Sequence, residues 1–136
     1  MSGLLLDTNV LSEVLKKRPS PRVLAHLKAA SRGTLSTSVV SVWELRQGAA
    51  RHPQGARLWE RITREVLSLL PVLPLGEAEA VRAGDLLATL EAGGRSIGVE
   101  DVLIGATALV RGLTVVTRNV ARLSRIPGLT VECWWD

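Results

Sequence analysis

The chain has 136 residues, of which 46% are hydrophobic, and its 17 Lys and Arg against 13 Asp and Glu leave a net charge of +4. These values exclude a disordered chain and suit a single domain spanning residues 1–136. The lone Cys133 excludes an internal disulfide and any multi-cysteine metal cluster, and fits a reducing compartment. The basic excess admits a polyanionic partner without selecting one.

There is no Phe or Tyr, and Trp43, Trp59, Trp134 and Trp135 are the only aromatic residues besides His. The core is therefore expected to be aliphatic, built mainly from Val and Leu. No apolar run reaches the roughly 20 residues of a membrane span. Three leucines before Asp7 are too few for a signal-peptide core. The expectation is a cytoplasmic protein with no membrane association.

Leu4–Leu6 is a short apolar run without alternation, as in a strand buried on both faces. From Thr8 the period becomes helical, with Val10, Leu11, Val14 and Leu15 on one side. Lys16–Arg18 fit its last turn and Pro19 stops it. A second helix is expected from Pro21 to Ala30, with Val23, Leu24 and Leu27 inward.

Gly33 marks a turn into a second strand, Thr34–Thr37. Ser38 or Ser41 can cap a helix that carries Glu44, ends near Gly48–Ala50 and is broken by His52-Pro53. Arg57–Leu70 reads as an amphipathic helix, Val72–Leu75 as a third strand, and Glu77–Glu91 as a long helix ended by Gly93-Gly94. Ile97–Gly112 is helical, Leu113–Val116 a fourth strand, and Pro127-Gly128 turns into a fifth near Leu129–Val131. Short apolar strands alternating with helices indicate an α/β sandwich around a parallel sheet.

Three acids stand where such a sheet does chemistry. Open parallel sheets bind ligands beyond the carboxyl ends of their strands. Asp7 directly follows the first strand, where it also suits a helix N-cap. Glu44 sits among Val39, Val40, Val42, Trp43 and Leu45. Its helix face carries Ser41 and Gly48, small residues that let another element approach. A carboxylate there is poorly solvated unless paired or metal-bound.

Asp101 shares a stripe with Ile104, Gly105, Ala108 and Gly112, which reads as a close-packed face. Glu100 shares one with Thr107 and Arg111, which reads as solvated. Asp101 is therefore expected to point inward and Glu100 outward. Inward carboxylates on three segments would repel one another. A hard divalent cation reverses that penalty, and Mg²⁺ favours oxygen ligands. Zinc fits poorly, because His26 and His52 have no ligand spacing and Cys133 is alone.

LLLDTNVLSEVL, SVVSVWELRQG and IGVEDVLIGATALVRGLTVVTRN, in that order, resemble the PIN-domain ribonuclease toxins of the VapC and FitB type. The likeness extends to PGLTVECWW and so covers essentially the whole chain. It implies a three-layer sandwich with a parallel five-stranded sheet in the order 3-2-1-4-5, flanked by helices. It maps the catalytic acids onto Asp7, Glu44 and Asp101, which would hold Mg²⁺ or Mn²⁺, with Asn119 beside them. Thr8 and Asn9 would orient Asp7, and Thr117 would close the end of strand 4. Many such domains have Asp where this chain has Asn119, which keeps an oxygen acceptor but loses a charge.

The resemblance further implies Mg²⁺-dependent hydrolysis of RNA, leaving a 5′-phosphate and a 3′-hydroxyl. It implies a homodimer and a cognate VapB-like antitoxin whose basic residue enters the acidic site. Arg46, Arg95 and Arg118 lie next to the acids in sequence and are candidates for contact with the RNA backbone. The apolar faces of Val14, Leu15, Leu24 and Leu27 belong either to the core or to that partner.

Two rivals fit less well. A haloacid-dehalogenase-like phosphatase would need a second Asp where Asn9 stands, and a phospho-receiver would need an Asp after the third strand, where Gly76 and Glu77 stand. The remaining alternative is a catalytically silent PIN-like module that only holds an antitoxin peptide.

Overall fold

A computed structural model describes residues 3–31 and 33–136. Strands β1 (Leu4–Leu6), β2 (Leu35–Ser38), β3 (Val72–Leu73), β4 (Thr114–Val116) and β5 (Val131–Glu132) form one sheet in the order β3-β2-β1-β4-β5. All neighbours run parallel, with Leu4 opposite both Leu35 and Thr114, and Leu6 opposite Val116. The α/β class, the strand order and the flanking helices are as expected. The chain leaves β1 towards β2 and later returns to its other edge as β4, so the switch point lies between β1 and β4.

The short strands alternate between two packed faces, which explains their unbroken apolar runs. Leu6 and Val116 join Val10, Leu11, Val23, Leu45 and Ile62 on one side. Leu5 and Val115 join Val40, Ile104 and Ala108 on the other. A third group, including Leu86, Leu90, Val102, Leu123 and Ile126, extends that second side.

Helix α1 (Thr8–Val14) starts at Asp7 and α2 (Pro21–Ala29) at Ser20, whose hydroxyl accepts from the Val23 amide. The α1 helix is shorter than expected. It ends at Leu15 because Glu13 gathers the connection to α2 onto itself: its carboxylate accepts from Lys16 Nζ at 3.0 Å and from the Ser20 amide at 2.9 Å. Lys16–Arg18 therefore lie beyond the helix. Val14, Leu15 and Leu27 pack on the core, whereas Leu24 is 42% exposed.

Helix α3 (Val39–Arg51) is capped by Ser38, which accepts from the Ser41 amide. Ser41 is thus an interior position. The expected helix from Arg57 to Leu70 divides into α4 (Gly55–Glu65) and a 3-10 turn, Leu67–Leu69. The break is at Val66, whose backbone leaves helical geometry at φ −123° as its side chain enters the core. Helices α5 (Glu77–Ala92) and α6 (Val99–Arg111) come next, the latter ended by Gly112 at φ +66°.

A seventh helix, α7 (Val120–Leu123), stands between β4 and β5, where no helix was expected. The aliphatic-core expectation also needs correction. Trp134 is 1% exposed, joins the first core group, and stacks on His26 with ring centroids 5.2 Å apart. Its indole N–H is satisfied by the Glu132 carboxylate, which allows so large an aromatic residue to be buried.

Candidate active site

The loop after β1, the middle of α3, the start of α6 and the loop after β4 meet at the switch point. Together they surround a cleft of about 380 Å³ that Asp7, Thr8, Asn9, Glu44, Glu100, Asp101 and Asn119 all line. Acids separated by as many as 94 residues in sequence thus share one space.

Asp7 is the most tightly held. Its Oδ1 accepts from the Thr8 amide at 2.8 Å, so it is also the N-cap of α1. Its Oδ2 accepts from the Thr117 hydroxyl at 2.7 Å and from Asn9 Nδ2 at 3.2 Å. Thr117 in turn accepts from the Asn119 amide at 3.0 Å, and Asn9 Oδ1 accepts from the Arg118 amide at 3.1 Å. The ends of β1 and β4 are therefore tied through side chains as well as through their ladder.

The expected role of Thr8 divides in two. Its backbone holds Asp7, while its hydroxyl donates to Glu44 Oε1 at 2.6 Å and lies 2.9 Å from Ser41 Oγ. Ser41, read as a small residue beside Glu44, is a fully buried member of that arrangement.

Burial raises Asp7 above the usual carboxylate range, and repulsion from Asp101 adds to it, against the Thr117, Thr8 and Asn9 hydrogen bonds. Burial also raises Glu44, against its Thr8 bond, with repulsion from Asp7, Asp101 and Glu100 in the same direction. Neither acid has an ion-pair partner among the described residues. Asp101 is 13% exposed, and one of its oxygens meets Arg122 Nη1 at 3.1 Å.

Glu100 lines the cleft, contrary to the outward reading. Its side chain folds back towards Gly98: a Cβ on that glycine would lie 3.1 Å from Glu100 Oε2. Thr107, grouped with Glu100 on a solvated stripe, is buried and donates to the Leu103 carbonyl. The α6 helix is packed on more than one side, so a two-sided helical reading does not describe it.

Of the three candidate arginines only Arg118 lines the cleft, its guanidinium 5.3 Å from the centre of the Trp135 ring. Arg46 lies over Trp59 at 5.1 Å, and Arg95 occupies the connection from α5 to α6. Neither is among the cleft-lining residues. Sequence reasoning missed Lys16, Arg122, Glu13 and Trp135, which do line it. Arg122 was hidden with α7, although Val120 and Leu123 at a spacing of three carry a faint helical signal. His26 and His52 are engaged elsewhere, with Trp134 and with the Gln54 amide.

The donor set decides which metals suit the cleft. Among the described residues, no three His, Cys, Asp or Glu side chains stand together closely enough to hold a metal ion by themselves, and no His or Cys of the kind zinc prefers lines the cleft. The cleft instead offers several carboxylates around an open space, those of Asp7 and Glu44 without an ion-pair partner among the described residues. That fits a hard ion such as Mg²⁺, which takes one or two carboxylates and keeps several waters.

The model of the PIN domain family matches residues 4–129. The chain belongs to the PIN-domain family. It is 39% identical to the VapC ribonuclease Y4jK of Sinorhizobium fredii over 98% of both chains. It is 33% identical to the toxin FitB of Neisseria gonorrhoeae over 98% of this chain and 99% of that one. The DNA-bound VapBC structure from Salmonella typhimurium superposes with a TM-score of 0.89 at 29% identity, covering 98% of this chain and 99% of that chain. The resemblance drawn from the three motifs is thus a family membership over nearly the whole PIN-domain chain. No helix of this domain, among the described residues, is long and apolar enough to cross a membrane.

Proposed function

We propose that this PIN-domain chain is the RNA-cleaving toxin of a toxin–antitoxin pair, hydrolysing phosphodiester bonds with Mg²⁺ or Mn²⁺. One observation carries the reading: Asp7, Glu44 and Asp101, from three distant segments, line one cleft, and Asp7 and Glu44 have no ion-pair partner among the described residues. A buried carboxylate with no cationic partner is costly unless hydrogen bonds or a metal ion offset the cost. The relatives named as VapC ribonuclease and FitB toxin point the same way.

Asp7 and Asp101 would hold the ion, with Glu44 beside them, directly or through water. When bound, the ion lowers the pKa of a water and polarises a phosphate oxygen. The protein's own part is placement. Thr117, Asn9 and the Thr8 amide fix both oxygens of Asp7, and the Thr8 hydroxyl fixes Glu44. Asn119 adds a neutral oxygen acceptor at the rim. Arg118 and Lys16 supply positive charge beside the acids, where they would steer an RNA backbone.

An antitoxin segment has a place to lie. A groove lined by Leu15, Leu45, Ala49, Leu58 and Ile62 adjoins the acidic cleft and shares Thr8, Ser12, Lys16 and Glu44 with it. An apolar segment there would deliver a basic residue to the acids, in competition with metal. The homodimer is proposed through α5 and α6, where Val81 and Val110 stand exposed around one hollow.

The test is cleavage of end-labelled RNA by purified, antitoxin-free protein. Wild type should cut with Mg²⁺ and stop with EDTA, and Asp7→Asn should not cut although its circular dichroism is unchanged. A protein that holds an antitoxin peptide but leaves RNA intact with either ion would be the silent binding module instead.

A further inference from the structure

Arg122 is the one cation in direct ion-pair contact with the cleft acids Asp7, Glu44 and Asp101 among the described residues. It comes from α7, between the loop that carries Asn119 and the strand β5. Its Nη1 lies 3.1 Å from Asp101 Oδ2, with Asp101 13% and Arg122 53% exposed. The two ends of this contact are unlike. The carboxylate is mostly buried at the start of α6, whereas the guanidinium is half in solvent on a long flexible stem.

We propose that Arg122 is a displaceable counter-cation of the metal site, which neutralises Asp101 when no ion is bound and turns to the RNA phosphate when one is. This rests on the nuclease reading above. Five acids line this cleft, and of the three proposed to serve the metal, Asp7, Glu44 and Asp101, only Asp101 has a cationic partner among the described residues. An oxygen held by a guanidinium is a poorer ligand for a metal ion, so the two compete for Asp101. An ion pair with one end exposed is weak, at most about 1 kcal/mol, or about fivefold in affinity. Competition of that size is readily overcome by a divalent ion.

Release costs little backbone movement, because only the Arg122 side chain must turn. The freed guanidinium remains at the rim of the same cleft. A planar fork of N–H donors suits the oxygens of a phosphate as it suits those of a carboxylate. The same side chain then adds a phosphate contact from α7 in a cleft that Lys16 also lines.

The test measures Mn²⁺ binding by electron paramagnetic resonance, without RNA, and then RNA cleavage at saturating Mn²⁺. Arg122→Met should tighten Mn²⁺ binding about threefold to fivefold and raise KM for RNA about tenfold. Arg122→Lys should lie between wild type and Arg122→Met in both. Arg125→Met is the control for net charge, since Arg125 lies three residues on but meets the Ser96 carbonyl rather than an acid; it should leave Mn²⁺ affinity at the wild-type value. Unchanged or weaker Mn²⁺ binding by Arg122→Met, with binding lost in Asp101→Asn, overturns the role of Arg122 while the metal site stands. An unchanged KM overturns the phosphate contact. No saturable Mn²⁺ binding by wild type overturns the metal site itself.

Discussion

Thr117 donates its hydroxyl to Asp7 Oδ2 at 2.7 Å, across 110 residues of sequence. Both residues are buried, and they join the ends of β1 and β4 at the point where the sheet reverses its order. The bond fixes the direction of the carboxylate that the proposed chemistry needs first. A metal ligand is only as good as the groups that aim it.

Removing that hydroxyl while keeping the shape tests its role. Thr117→Val should lower metal affinity and activity by about 10- to 100-fold, with the fold intact. Calorimetric Mn²⁺ titration alongside RNA cleavage measures both. Full activity in the variant would show that Asn9 and the Thr8 amide suffice to hold Asp7.

The acids also make a prediction about stability. Burial raises Asp7 and Glu44 in the folded state, so the native protein binds protons more readily than the unfolded chain does. Their contribution to stability is fully present below the ordinary carboxylate range and is lost as pH rises through the raised values. Metal-free protein should therefore gain stability from Asp7→Asn at neutral pH, and the gain should shrink towards about pH 4. Mg²⁺ should raise the melting temperature of wild type and leave that of Asp7→Asn nearly unchanged. Thermal melts across pH, with and without Mg²⁺, decide the matter.

Glu13 should behave in the opposite way. Hydrogen bonds from Lys16 and the Ser20 amide hold it below the usual carboxylate range. Its stabilising contribution is present above the unfolded value and is lost as pH falls through the lowered one. Its carboxylate also receives the Trp135 indole N–H at 3.4 Å, linking α1 to the end of the chain. Glu13→Ala should cost about 2 kcal/mol, read by urea unfolding, and should shift the emission of Trp135.

Much of this arrangement was legible in the sequence. The run Leu4–Leu6 before Asp7 placed an acid at a strand end, and the small-residue stripe from Asp101 through Ala108 showed which way that acid turns. Strand and helix order came from short apolar runs set between helical periods. What stayed hidden depended on contacts between distant segments. Trp134 enters the core because His26 and Glu132 receive it, and nothing near Trp134 in sequence indicates His26. Glu100 and Asp101 both reach the cleft from the first turn of α6, where the end of the helix and not one face of it lines the space, which a helical wheel cannot represent. Arg122 was missed because a four-residue helix carries too little periodicity to stand out.

The groove beside Glu44 gives a further prediction. Leu58→Glu would place a charge among Leu15, Leu45 and Ile62. It should weaken antitoxin binding at least tenfold, because a buried unpaired charge is costly, while cleavage of RNA by free toxin stays near wild type. Surface-immobilised antitoxin measures the first and labelled RNA the second. Equal antitoxin affinity in the variant would move the partner to another face.

The proposed chemistry requires the acids at positions 7, 44 and 101 to share a hard cation. Crystals grown with Mn²⁺ and measured at its absorption edge test this directly. Anomalous density should appear in the cleft, about 2.1 Å from oxygens of Asp7 and Asp101, with Arg122 turned away. Crystals at saturating Mn²⁺ with no density between those residues, and with the Asp101–Arg122 pair intact, would contradict it.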